Sequence, residues 1–148
     1  MSAVVYDKIK SGQSLIEAIV AMAVALLIIS GLVSAVIIAV KNSQFARNQS
    51  LATQYASEGL EWIRSQRDNS WTIFYSKAET TTTYCLNTLS WLSSSQCGSS
   101  DYALGGHFKR QARLSTVDLT KIWVIMTVSW SDPSGIHQQE LNSYLTKW

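Results

Sequence analysis

Residues 18–40 are AIVAMAVALLIISGLVSAVIIAV, a run without a charged side chain or a proline. A helix over this run would be about 34 Å long at roughly 1.5 Å per residue. That length is sufficient to cross the hydrocarbon core of a bilayer, and a continuous helix satisfies its own backbone hydrogen bonds, as lipid requires. The run therefore predicts one membrane-spanning helix near the N-terminus.

The charges around the run indicate its orientation. Lys8 and Lys10 precede it, which favours a cytoplasmic N-terminus and a C-terminal part on the outer side of the membrane. The chain of 148 residues has a formal net charge of +2, so the part beyond the run is close to neutral. Such a charge gives no electrostatic reason to expect a nucleic-acid partner.

A cleavable secretory signal peptide is an alternative interpretation of this segment. It shares the basic start and small residues such as Ala23 and Ala25. The apolar region of a signal peptide, however, is normally only about 7 to 15 residues long, and this run is much longer. We therefore expect a single-pass protein of the cytoplasmic (inner) membrane with its C-terminal domain outside.

A carboxylate stands at the entrance of the apolar run. Glu17 ends the sequence Gly12-Gln13-Ser14-Leu15-Ile16-Glu17. A charged side chain inside a membrane helix costs at least about 2.5 kcal/mol, so Glu17 would need a cationic partner there. The alternative is an interfacial carboxylate in contact with headgroups and water, and physics alone leaves the two interpretations equal.

This segment, followed by Ala18 and the apolar run, resembles the class III prepilin signal of type IV pilins and pseudopilins. The family pattern is a glycine, a first mature residue, a threonine or serine, Leu-Ile-Glu and a long apolar helix, after a short basic leader. The resemblance implies that a prepilin peptidase cuts after Gly12. Gln13 would become the first mature residue, with N-methylation of its amine, and Glu17 the fifth.

Three features depart from the commonest form of the family. Gln13 stands where phenylalanine is usual, Ser11 stands where a lysine is common, and the run lacks the proline of many major pilins. These departures favour a minor pilin or pseudopilin over a major pilin. The partners implied are the prepilin peptidase, other pilin subunits and an inner-membrane assembly platform. The implied end product is an extracellular or periplasmic filament: a pilus, a type II secretion pseudopilus or a DNA-uptake pilus.

The cleavage gives Glu17 a partner in physical terms. Cutting after Gly12 creates a new cationic amine at Gln13. In an apolar filament core, that amine can neutralise Glu17 of a neighbouring subunit and fix the register between helices. The competing hypothesis is a monomeric, membrane-tethered extracytoplasmic binding module. Its helix would serve only as an anchor and would not need the Glu17 carboxylate.

The sequence predicts an α+β fold, in which a long N-terminal helix packs on a small C-terminal antiparallel β-sheet. A stripe of mostly small residues at helical spacing continues the helix beyond the apolar run and suits close packing on a sheet. The stripe consists of Phe45, Ala52, Ala56, Gly59 and Ile63. The predicted segments are a leader at 1–12, a transmembrane and assembly helix at 13–40, an amphipathic continuation at 41–68, a Ser/Thr-rich loop at 69–106 and the sheet at 107–148.

Two cysteines lie in the Ser/Thr-rich loop. If this part is exported, a disulfide between Cys85 and Cys97 is expected, and free thiols would be expected in a reducing compartment. Aromatic residues are interleaved along the loop, and we expect them to anchor it to the core in preference to forming a binding surface.

The C-terminal part has the alternation of β-strands. Apolar residues recur at every second position from Ile122 to Trp130, and Asp132-Pro133-Ser134-Gly135 has turn chemistry. With flanking strands over 108–116 and 138–145, these features predict about three antiparallel strands. Lys109, Arg110 and Arg113 are expected to form a solvated basic strand edge.

No set of residues in the sequence suits an enzyme. His107 and His137 are far apart, and the chain has no Cys-x-x-Cys, His-Glu-x-x-His, phosphate loop or Gly-x-Ser-x-Gly. We therefore predict a structural protein without catalytic residues, cofactor or metal.

Overall fold

A computed structural model describes the backbone from Val4 to Trp148 and the side chains from Ser14 onward. The elements are two helices, α1 (Val4–Asn69) and α2 (Trp71–Ala78), and four strands, β1 (Thr82–Cys85), β2 (Phe108–Asp118), β3 (Lys121–Asp132) and β4 (Gly135–Thr146). The chain divides into an N-terminal unit through Phe45 and a C-terminal unit from Ala46 to Trp148. The two units are described separately.

The N-terminal unit is the apolar part of α1. From Ser14 to Val40 every side chain is exposed, and the large aliphatic ones expose half or more of their surface, up to 74% at Leu27. A helix that is apolar on all sides is stable only when lipid or other protein surrounds it. α1 is long and apolar enough to cross a membrane, as the sequence predicted.

In the C-terminal unit, α1 is amphipathic and packs on the sheet. Ala52, Ala56, Gly59 and Ile63 are buried, which confirms this part of the predicted stripe. Phe45, assigned to the same stripe, is 41% exposed and belongs to the N-terminal unit. The helix ends at Asn69, one residue beyond the predicted continuation at 41–68. Ser70 caps α2 by accepting a hydrogen bond from the Ile73 N–H.

The sheet is antiparallel with the strand order β1-β2-β3-β4. The predicted alternation in β3 is confirmed, because its inward-pointing apolar residues are buried: Ile122, Val124, Met126, Val128 and Trp130. They form one core with the buried stripe of α1 and with apolar residues of α2, β2 and β4. The turn to β4 consists of Pro133 and Ser134, and the Asp132 carboxylate accepts the Ser134 N–H at 2.7 Å.

The segment 69–106, predicted to be an irregular loop, contains α2 and β1, so the sheet has four strands where about three were predicted. β1 is a four-residue strand whose Thr82 pairs with Leu114 and whose Cys85 pairs with Gln111. A strand this short is below the length at which alternation identifies it. The sequence did not predict α2 either. This helix has only eight residues and buries only Phe74 and Ala78, which is too few to show a helical period.

Candidate functional sites

The predicted processing and assembly residues lie at the start of α1. Gly12 and Gln13 lie outside the residues whose side chains the structure describes. Glu17 is described and is exposed, between the exposed aliphatic side chains of Ile16 and Ile19. From Ser14 onward, no basic side chain of this chain forms an ion pair with Glu17.

The backbone around Glu17 leaves no local alternative for the carboxylate. It lies inside a continuous helix, where the neighbouring N–H groups are already bonded to the preceding turn. In a lipid or protein environment a cation would stabilise the ionised carboxylate, and the described part of the chain supplies none.

The predicted disulfide is present. Cys85 at the end of β1 is bonded to Cys97, which is buried and whose N–H donates to the Gln111 side chain at 3.2 Å. The bridge fastens the loop after β1 back onto the sheet. It therefore holds in place a Ser-rich segment that has little secondary structure of its own.

Aromatic side chains anchor this loop, as expected. The Trp91 ring lies 4.8 Å from the Trp62 ring and 4.9 Å from the Tyr84 ring, and its N–H donates to Gln66 at 3.1 Å. The Tyr84 hydroxyl donates to the Lys77 carbonyl at 3.0 Å, and burial raises the pKa of this tyrosine above its ordinary value. These aromatics join the loop to α1 and β1 and do not form an exposed patch.

Arg110 is not part of a solvated basic edge, and that prediction was wrong. Its side chain is only 1% exposed and points from β2 toward α1, where it meets Glu58 at 3.0 Å. It also donates to the carbonyls of Tyr55 at 2.8 Å and Leu86 at 3.0 Å. Arg110 points inward because it lies at every second position with Phe108 and Ala112, which are both buried. This two-residue period is visible in the sequence.

Lys109 and Arg113 do lie on the opposite face of β2, although β2 is an interior strand of the sheet. We call this opposite face the outer sheet face. Its side chains follow the register in rows across β2, β3 and β4: Ser115–Trp123–Tyr144, Arg113–Ile125–Asn142, Gln111–Thr127–Glu140 and Lys109–Ser129–Gln138. Apart from Trp123, Ile125 and Tyr144, these side chains are polar or charged.

The two histidines are in separate places. His107 is exposed in the turn before β2, and His137 on β4 lies 3.0 Å from the Asp132 carboxylate. Burial acts to raise the pKa of Asp132, but hydrogen bonds from Ser134 and His137 outweigh it and hold this pKa below its ordinary value. Among the described residues, no three His, Cys, Asp or Glu side chains are close enough to hold a metal ion.

No protein-family model, no curated protein and no solved structure matches this chain.

Proposed function

We propose that this protein is a minor pilin or pseudopilin, a structural subunit of a type IV pilus-like filament. The observation that carries the proposal is Glu17, a carboxylate within a helix segment that exposes aliphatic side chains on every side. Such a surface calls for lipid before assembly and for neighbouring helices after it. The prepilin-like sequence around Gly12 supplies the reason for the carboxylate.

In this proposal a prepilin peptidase cuts after Gly12 on the cytoplasmic side of the membrane. The new amine at Gln13 then pairs with Glu17 of a neighbouring subunit. Two unit charges about 4 Å apart attract each other by about 4 kcal/mol at an effective dielectric constant of about 20. This attraction offsets part of the cost of removing both charges from water, a cost that is at least about 2.5 kcal/mol for the carboxylate alone.

The C-terminal unit has a feature that is expected of a domain outside the cytoplasm. Its disulfide between Cys85 and Cys97 is of the kind that persists in oxidising compartments. Together with the apolar helix, it supports a single-pass topology in which α1 anchors the subunit and the sheet lies on the outer side. The assembled subunit would belong to an extracellular or periplasmic filament, built by an inner-membrane assembly platform with other pilin subunits.

The first test is the N-terminus of the protein isolated from its membrane, by intact mass and by N-terminal sequencing. Cells without the prepilin peptidase provide the control. A start at Gln13 that is lost in the control supports processing, and the same mass reports methylation of the amine. A start at Met1 in both strains would overturn the proposal in favour of a tethered monomer.

The second test addresses the ion pair. Glu17→Gln keeps the size of the side chain and removes its charge, and Glu61→Gln does the same at an exposed carboxylate farther along α1. We expect Glu17→Gln to remain in the membrane fraction but to be absent from sheared filaments, and Glu61→Gln to assemble normally. Zero-length coupling of amines to carboxylates should join Gln13 to Glu17 between subunits. Normal assembly of Glu17→Gln would contradict the proposed role.

A further inference from the structure

The outer sheet face contains an open cleft with a volume of about 270 Å³. Its lining comes from all four strands and is mainly polar. The side chains that matter here are Gln111, Arg113, Thr127, Gln138 and Glu140. Amide, hydroxyl, guanidinium and carboxylate groups together offer both donors and acceptors within one small space. At about 270 Å³ the cleft is slightly smaller than ordinary ligand pockets, so it would hold only part of a ligand, and the rest would lie along the open face.

A pair of aromatic rings continues the cleft along the strands. Trp123 and Tyr144 face each other across β3 and β4 with ring centroids 6.1 Å apart and an angle of 22° between their planes. Tyr144 is 57% exposed. Trp123 is four residues from Thr127 on the same face, which corresponds to about 13 Å along the strand. The rings and the cleft therefore form one continuous surface.

The charges of this surface are predominantly positive. Arg113 is exposed, and within the described part of the chain its guanidinium has no ion pair or hydrogen bond. Lys121 adds a second cation, with its ammonium 4.4 Å from the Tyr144 ring centre. The Glu140 carboxylate also lines the cleft and accepts a hydrogen bond from the Thr127 hydroxyl at 3.2 Å, and it keeps its negative charge. The cations of the face, Lys109, Arg113 and Lys121, outnumber this one carboxylate, so an anionic group is favoured beside Arg113.

We propose that the outer sheet face binds an acidic oligosaccharide, with its carboxylate or sulfate on Arg113 and a neighbouring sugar ring on Trp123. A sugar ring has an apolar face of C–H groups, which packs on an aromatic ring, and a rim of hydroxyls, which need both donors and acceptors. The face offers these two kinds of contact within about 13 Å along the strand. The planar guanidinium of arginine matches a carboxylate or a sulfate with two parallel hydrogen bonds.

The charge pattern favours a sugar over a nucleic acid. Nucleic-acid binding depends on several cations that follow a phosphate backbone, and it weakens steeply with salt. Here Lys109 is already engaged by the Gly98 carbonyl and the Tyr102 ring. Arg113 and Lys121 stand among amides and hydroxyls, near the Glu140 carboxylate. The inference does not depend on filament assembly, because every residue involved lies in the C-terminal unit.

The test is calorimetric titration of the full chain in a detergent without a sugar headgroup, since such a headgroup would compete. The probes are sialyllactose, a hyaluronan tetrasaccharide and a heparin-derived tetrasaccharide. Lactose and chitotetraose serve as neutral counterparts. We expect saturable binding of at least one acidic probe, with a preference of about tenfold or more over its neutral counterpart, as one charge-assisted contact provides.

Two pairs of variants separate the contacts. Arg113→Gln should weaken binding of the acidic probe by about tenfold, while Arg64→Gln, which removes a charge from α1, should leave it unchanged. Trp123→Ala should weaken the acidic and neutral probes alike, and Trp148→Ala, which removes another exposed tryptophan, should not. Circular dichroism melting of each variant verifies that it is folded.

Several outcomes would overturn the proposal. One is the absence of saturable binding for all three acidic probes. Another is an equal loss of affinity in Arg113→Gln and Arg64→Gln. A third is binding of a short DNA duplex, dependent on Arg113 and steeply weakened by salt, when no acidic sugar binds. This result would identify the face as a site for polyanions.

Discussion

The Arg110 guanidinium lies 3.0 Å from the Glu58 carboxylate, although the two residues are 52 positions apart in the chain. This contact joins α1 to the middle of the sheet. Glu58 is half exposed, with 53% of its side chain accessible, whereas Arg110 is buried. The arginine is therefore stabilised chiefly by the carbonyls of Tyr55 and Leu86 and by the carboxylate at its outer end.

The asymmetry of this pair predicts unequal costs for removing each partner. Arg110→Met leaves two backbone carbonyls without their donor and should lower the free energy of unfolding by about 3 kcal/mol. Glu58→Gln should cost only about 1 kcal/mol, because water can reach the site. Urea unfolding followed by tryptophan fluorescence measures both.

The control for this pair is Arg113→Met, on the same strand as Arg110 but on the exposed face. It should change the free energy of unfolding by less than about 0.5 kcal/mol. Equal costs for Arg110→Met and Arg113→Met would show that the buried hydrogen bonds do not stabilise the fold.

The same contact marks where sequence reasoning was sufficient and where it failed. The alternation in β3 and the helical stripe of α1 identified the buried residues because each period is local. Arg110 obeys the same alternation but carries a charge, and its partners come from distant parts of the chain. Burial of a charge depends on such partners, and one sequence does not reveal them.

The outer sheet face illustrates a second limit. Trp123 alternates with the buried Ile122 and Val124, so the strand period places it on the opposite face from the core. The sequence did not indicate that Tyr144 lies opposite, because that depends on the register set by the turn at Pro133 and Ser134. The residues of the proposed assembly site, from Gly12 to Glu17, are in contrast consecutive in the sequence. Glu17 could therefore be identified as a candidate without knowledge of the fold.

Gly59 is required for the close approach of α1 to the sheet. A Cβ atom at this position would lie 2.8 Å from Met126 Cε and 2.9 Å from Arg110 Cδ. Arg110 is held by its hydrogen bonds and Met126 is fully buried, so neither moves freely. Gly59→Ala should therefore lower the free energy of unfolding by about 1 to 2 kcal/mol, despite the helix propensity that alanine gains.

Gly31→Ala is the matched control in the same helix, because a Cβ there meets nothing within 4 Å. It should leave the unfolding midpoint of the C-terminal unit unchanged. If Gly59→Ala were as stable as the native protein, the helix would be able to shift on the sheet, contrary to the tight contact described above.

The disulfide should be the main source of stability for the segment after β1. The double variant Cys85→Ala/Cys97→Ala removes a cross-link between residues 12 positions apart, which is worth about 3 kcal/mol. We expect the loop to become sensitive to proteases, while β2 and β3 keep their protection against hydrogen exchange. Treatment of the native protein with a reductant should reproduce the effect. Unchanged protease resistance of the variant would mean that the Trp91 contacts alone hold the loop.

Asp118 predicts a specific dependence of stability on pH. Its carboxylate accepts hydrogen bonds from the side chain and the N–H of Thr120, both at 2.7 Å, in the turn between β2 and β3. These two bonds, aided by the charge of Lys121 and opposed by slight burial, hold the pKa of Asp118 below the ordinary value of 3.8. The folded state therefore binds this proton less readily than the unfolded state does.

The sign of the effect follows from this difference. The stabilisation is complete above the unfolded pKa of 3.8 and is lost as the pH falls through the lower pKa of the folded state. Asp118→Asn should be less stable than the native protein at neutral pH, and the difference should narrow below about pH 4. Thr120→Ala removes the hydroxyl donor. When both proteins carry this substitution, the difference in stability that Asp118→Asn causes at neutral pH should be smaller. Urea unfolding midpoints between neutral pH and about pH 3 measure the difference, and a constant difference over that range would contradict the prediction.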